Sequence, residues 1–190
     1  MMEHTHMSSG ISAGPLWPLD EFYRRRGQAV PGFTVIQPEE IPEPQRSLLV
    51  HDRDMTRTLE QFHQGQIHLR VLSSHRDIHG YWRESVLELD GNLRPVELGA
   101  ICIHLDLFPE SSRIEILEEH RPLGAILNGS GLHYISRPSA YFRVQSDTFI
   151  QNALGLTEPS SLYGRQNTLR DVKGGILAEI IELLPPTPSI

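Results

Sequence analysis

The stretch from residue 81 to residue 105 constrains the fold most, because a strand, a turn and a second strand follow one another there. Tyr81 to Leu89 has the composition of a strand, and Asp90-Gly91-Asn92 is typical of a hairpin turn. Residues 95–105 then return as the partner strand. The sequence therefore predicts an antiparallel sheet that contains this hairpin.

Other segments extend the pattern. Asp54 is expected to cap a helix in which Met55, Leu59 and Phe62 share one face, and Gly65 ends that helix. The remaining predicted elements are a strand at 67–72, one or two helices at 111–127 interrupted at Pro122, and a closing hairpin of 165–172 with 175–184. Hairpins with helices between them predict an α+β domain. Residues 128–161 give no clear pattern.

Length and composition predict one domain over residues 31–190, preceded by a flexible leader over residues 1–30. The leader is rich in Ser, Gly and Pro, which favours disorder, and docking of its run Trp17-Pro18-Leu19 on the domain is the alternative. A net charge of −7 argues against a nucleic-acid partner, because phosphate binding needs a basic surface. No apolar run is long enough to span a membrane, and no secretory signal is recognisable. We expect a cytoplasmic protein, with a monomer favoured.

The chain has one cysteine, Cys102, within an apolar run, so an intrachain disulfide framework is excluded and a buried, inert thiol is expected. His75 and His79 are four residues apart, but the segment resembles a turn and offers no obvious third ligand. The sequence therefore predicts neither a metal site nor a cofactor.

Arg83 stands out within the first strand of the hairpin. Alternation places it on the more apolar face of the strand, together with Tyr81, Ser85 and Leu87. A buried guanidinium without an anion costs several kcal/mol, so Arg83 needs a negatively charged partner. That partner is either an internal carboxylate or a bound ligand.

Glu179 is the matching anomaly in the last strand. It shares its face with Leu177, Ile181 and Leu183, whereas Glu182 lies on the opposite face and nearer the strand end. A carboxylate among aliphatic side chains needs a partner or a proton. Either Glu179 pairs with Arg83 or Arg165, or a polar substrate lies between the arginine and the carboxylate. We expect Arg83 and Glu179 to face one small cavity.

Four segments resemble the chorismate lyase family, and they occur in the family's order. They are residues 48–56 (LLVHDRDMT), 81–84 (YWRE), 121–124 (RPLG) and 164–179, which runs from GR through Lys173 to Glu179. The chain departs from the family pattern at Gly174, where a proline usually follows the turn lysine, and Glu182 is an additional acid. The resemblance implies a small antiparallel sheet whose helical flaps enclose a buried ligand cavity.

The resemblance also implies site residues. Arg83 and the backbone amides of Met55, Leu123 and Gly124 would hold the ring carboxylate of the substrate, and Glu179 would meet the ring hydroxyl, as an anchor or as a general base. Arg165 would attract a second carboxylate or serve the structure. Arg83 and Glu179 would thus be the catalytic residues.

The activity that the resemblance implies is elimination of pyruvate from chorismate to give 4-hydroxybenzoate, a carbon–oxygen lyase reaction of the kind that feeds ubiquinone biosynthesis. It needs no metal or redox cofactor, and its partner is a small-molecule substrate. Two alternatives stay open. One is a lyase acting on a relative of chorismate. The other is a non-catalytic module of the same fold that binds a small aromatic acid, as in the sensor domains of some transcription regulators.

Overall fold

The computed structural model describes residues 14–186, in which one antiparallel sheet carries helices on both faces. The strands are β1 (Phe33–Ile36), β2 (Ile67–Arg76), β3 (Tyr81–Leu89), β4 (Pro95–Ile103), β5 (Tyr134–Gln145), β6 (Ser161–Asp171) and β7 (Ile176–Leu184). The helices are α1 (Leu19–Arg25), α2 (Gln45–Leu49), α3 (Met55–His63), α4 (Glu110–Glu118), α5 (Leu123–Ser130) and α6 (Thr148–Leu154). The predicted α+β class is confirmed.

The sheet order is β1-β5-β6-β7-β4-β3-β2, with neighbouring strands antiparallel. The predicted hairpin is the β3–β4 pair, which closes through hydrogen bonds from the backbone N–H of Leu89 to the carbonyl of Arg94 and from Leu93 back to Leu89. The closing hairpin is β6–β7, where Gly174 adopts a φ of 91° that favours glycine. Both hairpins were predictable from local turn chemistry.

The helix predicted after Asp54 is α3. The side chain of Asp54 accepts a hydrogen bond of 2.7 Å from the backbone N–H of Arg57, which is the N-cap geometry. Pro122 separates α4 from α5 and immediately precedes the first residue of α5. These helices pack on the face of the sheet that carries Arg83, which we call the inner face.

The opposite, outer face carries Trp82 and is also buried. Its cover comes from α6 and from residues 16–23, where Leu16 and Tyr23 are almost fully buried. The boundary of the predicted leader is therefore wrong, because residues 16–23 are part of the domain core. Residues 1–13 of that leader lie outside the described residues. The sheet needs cover on both sides, since β3 is buried along its whole length.

Residues 128–161, which gave no pattern, contain β5 and α6. β5 alternates between exposed and partly buried positions and includes Pro138, so its strand signal is weak. α6 is capped by Asp147, whose side chain accepts from the backbone N–H of Ile150 at 2.9 Å. Within residues 14–186, no helix combines the length and apolar character that crossing a bilayer requires.

Candidate ligand-binding cavity

A cavity lies between the inner face of the sheet and the first turns of α3 and α5. Its floor is built by β3, β4, β6 and β7, and its roof by the two helix N-termini. The polar and charged side chains in its wall are those of Arg53, Asp54, Thr56, Arg83, Ser85, Glu97, Tyr134, Ser136, Asn167 and Glu182. The rest of the wall is mainly aliphatic. Such a mixture of apolar walls and a few convergent polar groups is typical of small-molecule sites.

Arg83 lies in the cavity floor, as strand alternation predicts. It is 2% exposed, and its Nε and Nη1 atoms have no hydrogen-bond partner among the described residues. Burial lowers the pKa of this guanidinium, while the nearby Tyr81 and Glu119 favour its charged form. The hydroxyl of Tyr81 donates to Glu119, so that carboxylate is already engaged. Arg83 therefore presents unused donors to the cavity.

The helix N-termini add further donors opposite the sheet. Met55 and Thr56 begin α3, and Leu123 and Gly124 begin α5, and all four line the cavity. The first N–H groups of a helix have no partner within it, and the helix dipole is positive at this end. The structure thus brings Arg83, Met55, Leu123 and Gly124 together as predicted. Their contact with a ligand stays a prediction.

Close packing between the two helix starts favours glycine at position 124. A β-carbon at this position would lie 1.7 Å from Oδ2 of Asp54, the residue that caps α3. The two helix starts therefore pack directly against each other through Asp54 and the bare α-carbon of residue 124. Burial raises the pKa of Asp54, while its hydrogen bond from Arg57 acts in the opposite direction.

Arg165 is also fully buried, but hydrogen bonds within the protein satisfy most of its guanidinium group. Its Nε donates to the Glu182 carboxylate, and its Nη1 donates to the carbonyls of Leu49 at 3.0 Å and His51 at 2.8 Å. Glu182 lines the cavity, whereas Arg165 does not. Of the two predicted roles for Arg165, the structural one fits this geometry.

Glu179 is not in the cavity, so the prediction that it shares one cavity with Arg83 is wrong. Arg83 pairs across the sheet with Ile101, and Ile101 pairs with Ile180, which puts Glu179 on the outer face opposite Cys102. Its carboxylate accepts a hydrogen bond of 3.2 Å from Nε1 of Trp17 and lies 3.8 Å from Nε2 of His104. These contacts with His104 and then Trp17 lower its pKa against the effect of burial.

Besides Asp54 in the roof, the carboxylates in the cavity wall are Glu182 and Glu97, and sequence reasoning missed Glu97. Glu97 is 6% exposed, and its Oε2 has no hydrogen-bond partner among the described residues. Burial and the negative charge of Glu182 raise its pKa well above the usual range. Alternation along β4 from Ile101 to Gly99 to Glu97 would have revealed it, since all three share the face of Arg83.

Asn167 and Ser136 form another unpredicted polar pair in the wall. The amide Nδ2 of Asn167 and the hydroxyl of Ser136 lie 3.0 Å apart, and both residues are buried. Cys102 is buried on the outer face, and burial raises the pKa of its thiol to about 12, so it is an inert core residue. No cluster of three or more metal-ligating side chains occurs among residues 14–186.

Comparison with protein-family models gave no match, and neither did comparison with curated sequences. Solved structures do resemble the chain. The effector domain of PhnF from Mycobacterium smegmatis superposes with a TM-score of 0.54 at 12% identity, covering 72% of this chain and 90% of that one. PhnF itself gives 0.52 at 13% identity and 71% coverage, and the chain spans 64% of its length.

A GntR-family transcriptional regulator from Bacillus cereus is more distant, with a TM-score of 0.46, 12% identity, and coverage of 65% of this chain and 94% of that one. At such low identities the likeness concerns the fold. The prediction of a chorismate pyruvate-lyase is wrong, because the fold is that of PhnF and of its effector domain. The displacement of Glu179 from the cavity also removes one of its two catalytic residues.

Proposed function

We propose that this chain is a non-catalytic binding module for a small organic acid, whose carboxylate pairs with Arg83. The observation that carries the proposal is the buried guanidinium with two unpartnered nitrogens facing a cavity. A bound carboxylate supplies the missing acceptors through charge-assisted hydrogen bonds, which are about twice as strong as neutral ones.

The roof of the cavity supports the same ligand class. The starts of α3 and α5 point unbonded N–H groups and positive dipole ends into the space that Arg83 faces. A carboxylate between the sheet and the helices is thus contacted from both sides. Aliphatic wall residues such as Leu69, Leu87 and Ile180 suit an aromatic or other apolar body.

Nothing in this role requires a reaction. The structure of PhnF that has a similar fold is named as an effector domain, which supports a binding role for this chain. The buried Arg165–Glu182 pair acts as a fixed structural element. We therefore infer that the acid is bound and released unchanged.

Isothermal titration calorimetry with benzoate and 4-hydroxybenzoate tests the proposal. Arg83→Met should weaken binding of both acids at least about 30-fold, because truncating one partner of a buried, hydrogen-bonded charge pair costs about 2 kcal/mol or more. Arg70→Met is the matched control, since Arg70 lies outside the cavity wall, bonded to Glu88 and the carbonyl of Ala153. It should bind like the parent.

Two results would contradict the proposal. One is equal affinity of the parent and Arg83→Met for these acids. The other is release of pyruvate when the purified protein is incubated with chorismate, because a binding module returns its ligand intact. Circular dichroism of Arg83→Met confirms that a loss of binding is not a loss of folding.

A further inference from the structure

Glu97 is the second buried charged side chain of the cavity that lacks a full set of partners. Its Oε2 has no hydrogen-bond partner among the described residues, although the side chain is almost inaccessible to solvent. A buried polar atom without a partner costs about 1–3 kcal/mol. No protein group among the described residues satisfies this oxygen, and a donor on a ligand in the cavity would supply the missing partner.

Strand register fixes where Glu97 lies relative to Arg83. Arg83 pairs with Ile101, and Glu97 is four residues away along β4 on the same face. At about 3.3 Å per residue the two backbone positions are roughly 13 Å apart. Gly99 lies between them, and a β-carbon there would be 3.1 Å from Oε1 of Glu97. The carboxyl group thus leans over Gly99, toward the Arg83 end.

A second carboxylate, that of Glu182, lies at the same position along the cavity floor. Glu182 pairs across the sheet with Gly99, the residue over which Glu97 leans. Glu182 has Arg165 as its own cation, whereas Glu97 has no ion-pair partner among residues 14–186. The cavity therefore has a cationic end at Arg83 and an acceptor-rich end at Glu97 and Glu182.

We infer that this cavity selects acids that carry a single carboxylate and, at the opposite end, an N–H or O–H donor, and that Glu97 is the residue that sets this preference. The inference rests on the proposed function. The donor on the ligand gives Oε2 of Glu97 its missing partner. A second carboxylate at that end meets two acidic side chains, and Arg165, the cation beside Glu182, is already paired.

The protonation of Glu97 does not alter this selection. Burial and Glu182 favour its neutral form, and a neutral carboxyl group still has a carbonyl oxygen that accepts a hydrogen bond. The ionised form accepts more strongly. In both forms the charge of Glu182 remains beside the site and opposes a second anion. Chorismate, which carries two carboxylates, fits this arrangement poorly.

Calorimetric titration at neutral pH with four probes tests the inference: benzoate, 4-hydroxybenzoate, 4-aminobenzoate and benzene-1,4-dicarboxylate. The two donor-bearing acids should bind about 5- to 10-fold more tightly than benzoate, as one net hydrogen bond contributes about 1 kcal/mol or slightly more. The dicarboxylate should bind at least about 10-fold more weakly than benzoate, because a second anion is desolvated without a cation.

Two variants of Glu97 separate its role from a structural one. Glu97→Leu removes the acceptor and should abolish the preference for the hydroxyl and amino groups, so that benzoate, 4-hydroxybenzoate and 4-aminobenzoate bind with similar affinities. Glu97→Gln keeps an acceptor and should retain the preference, and because Glu182 is unchanged it should also retain the discrimination against the dicarboxylate. A change in affinity that is common to all four probes leaves the ratios between their affinities unchanged, so these ratios report on selectivity alone.

The outcomes of the two proposals differ. If benzoate binds in an Arg83-dependent way but the parent protein shows no donor preference, or binds the dicarboxylate as well as benzoate, the inference about Glu97 is wrong and the proposed function stands. The inference is equally wrong if Glu97→Leu retains the preference. If none of the acids binds the parent protein, the proposed function fails and the inference fails with it.

Discussion

The two buried arginines of the inner face differ in what surrounds them. Arg165 is 0% exposed and Arg83 is 2% exposed, so burial does not distinguish them. Arg165 donates to Glu182 and to two backbone carbonyls and leaves Nη2 without a partner, whereas Nε and Nη1 of Arg83 have no partner among residues 14–186. The ion pair of Arg165 with Glu182 and the place of Arg83 in the cavity wall, rather than burial, separate the two arginines.

The difference has an energetic meaning. The attraction within a buried ion pair offsets the desolvation of its two members. Substituting only one member leaves the other charge buried and unpaired, so that its desolvation is no longer offset. An unpaired buried arginine carries the cost in the free protein and recovers it only when a ligand brings an anion. Under the proposed function, the Arg165 region contributes to stability and the Arg83 region to binding.

Stability measurements provide the largest expected contrast. Arg165→Met leaves Glu182 buried without its cation and should lower the free energy of unfolding by about 3–5 kcal/mol. Arg83→Met removes a charge that the fold does not satisfy, so it should leave that free energy unchanged or raise it. Urea denaturation of both variants checks this. Equal destabilisation by the two substitutions would contradict the different roles given to the two arginines.

The pH dependence of the free energy of unfolding adds Glu97 to this comparison. Its pKa is raised in the folded protein by burial and by Glu182, above the ordinary value of 4.5. The folded state then binds the proton more tightly than the unfolded state, so stability present below pH 4.5 is lost as pH rises through the folded pKa. Relative to Glu97→Gln, the parent should therefore lose stability as the pH rises above 4.5, because ionising Glu97 costs more in the folded protein than in the unfolded chain.

Urea denaturation of the parent and Glu97→Gln at a series of pH values from 4 to 9 measures this difference. Taking the difference between the two proteins cancels groups such as Asp20 and Glu84, whose pKa values are also raised by burial. A difference that does not change with pH would mean that the Glu97 carboxyl group is not perturbed.

Much of the fold follows from local rules. The turn at residues 90–92, the Asp54 cap and the inward position of Arg83 each depend on a few neighbouring residues, and each is where the sequence predicts it. Which segments pack on each face of the sheet does not follow from such rules, because it depends on tertiary structure. The Ser-, Gly- and Pro-rich composition of the first 30 residues concealed Leu16 and Tyr23, which complete the core on the outer face.

The site was only partly predictable for a related reason. β7 is apolar on both faces, so alternation separates Glu179 from Glu182 but does not say which face lines the cavity. That assignment needs the register with β4, where Ile180 aligns with Ile101 and therefore with Arg83. The family resemblance led to Glu179, and the register places Glu182 in the wall.

Glu179→Gln is the smallest of these tests and the most direct check on the two sheet faces. Glutamine keeps a side-chain oxygen that can accept from Nε1 of Trp17, and Glu179 is half-buried, so the free energy of unfolding should fall by less than about 1 kcal/mol. Affinity for 4-hydroxybenzoate should not change, because Glu179 lies behind the sheet from the Arg83 cavity. A 30-fold loss of affinity would instead mean that the last strand presents Glu179 to the ligand, which requires a register shifted by one residue relative to β4.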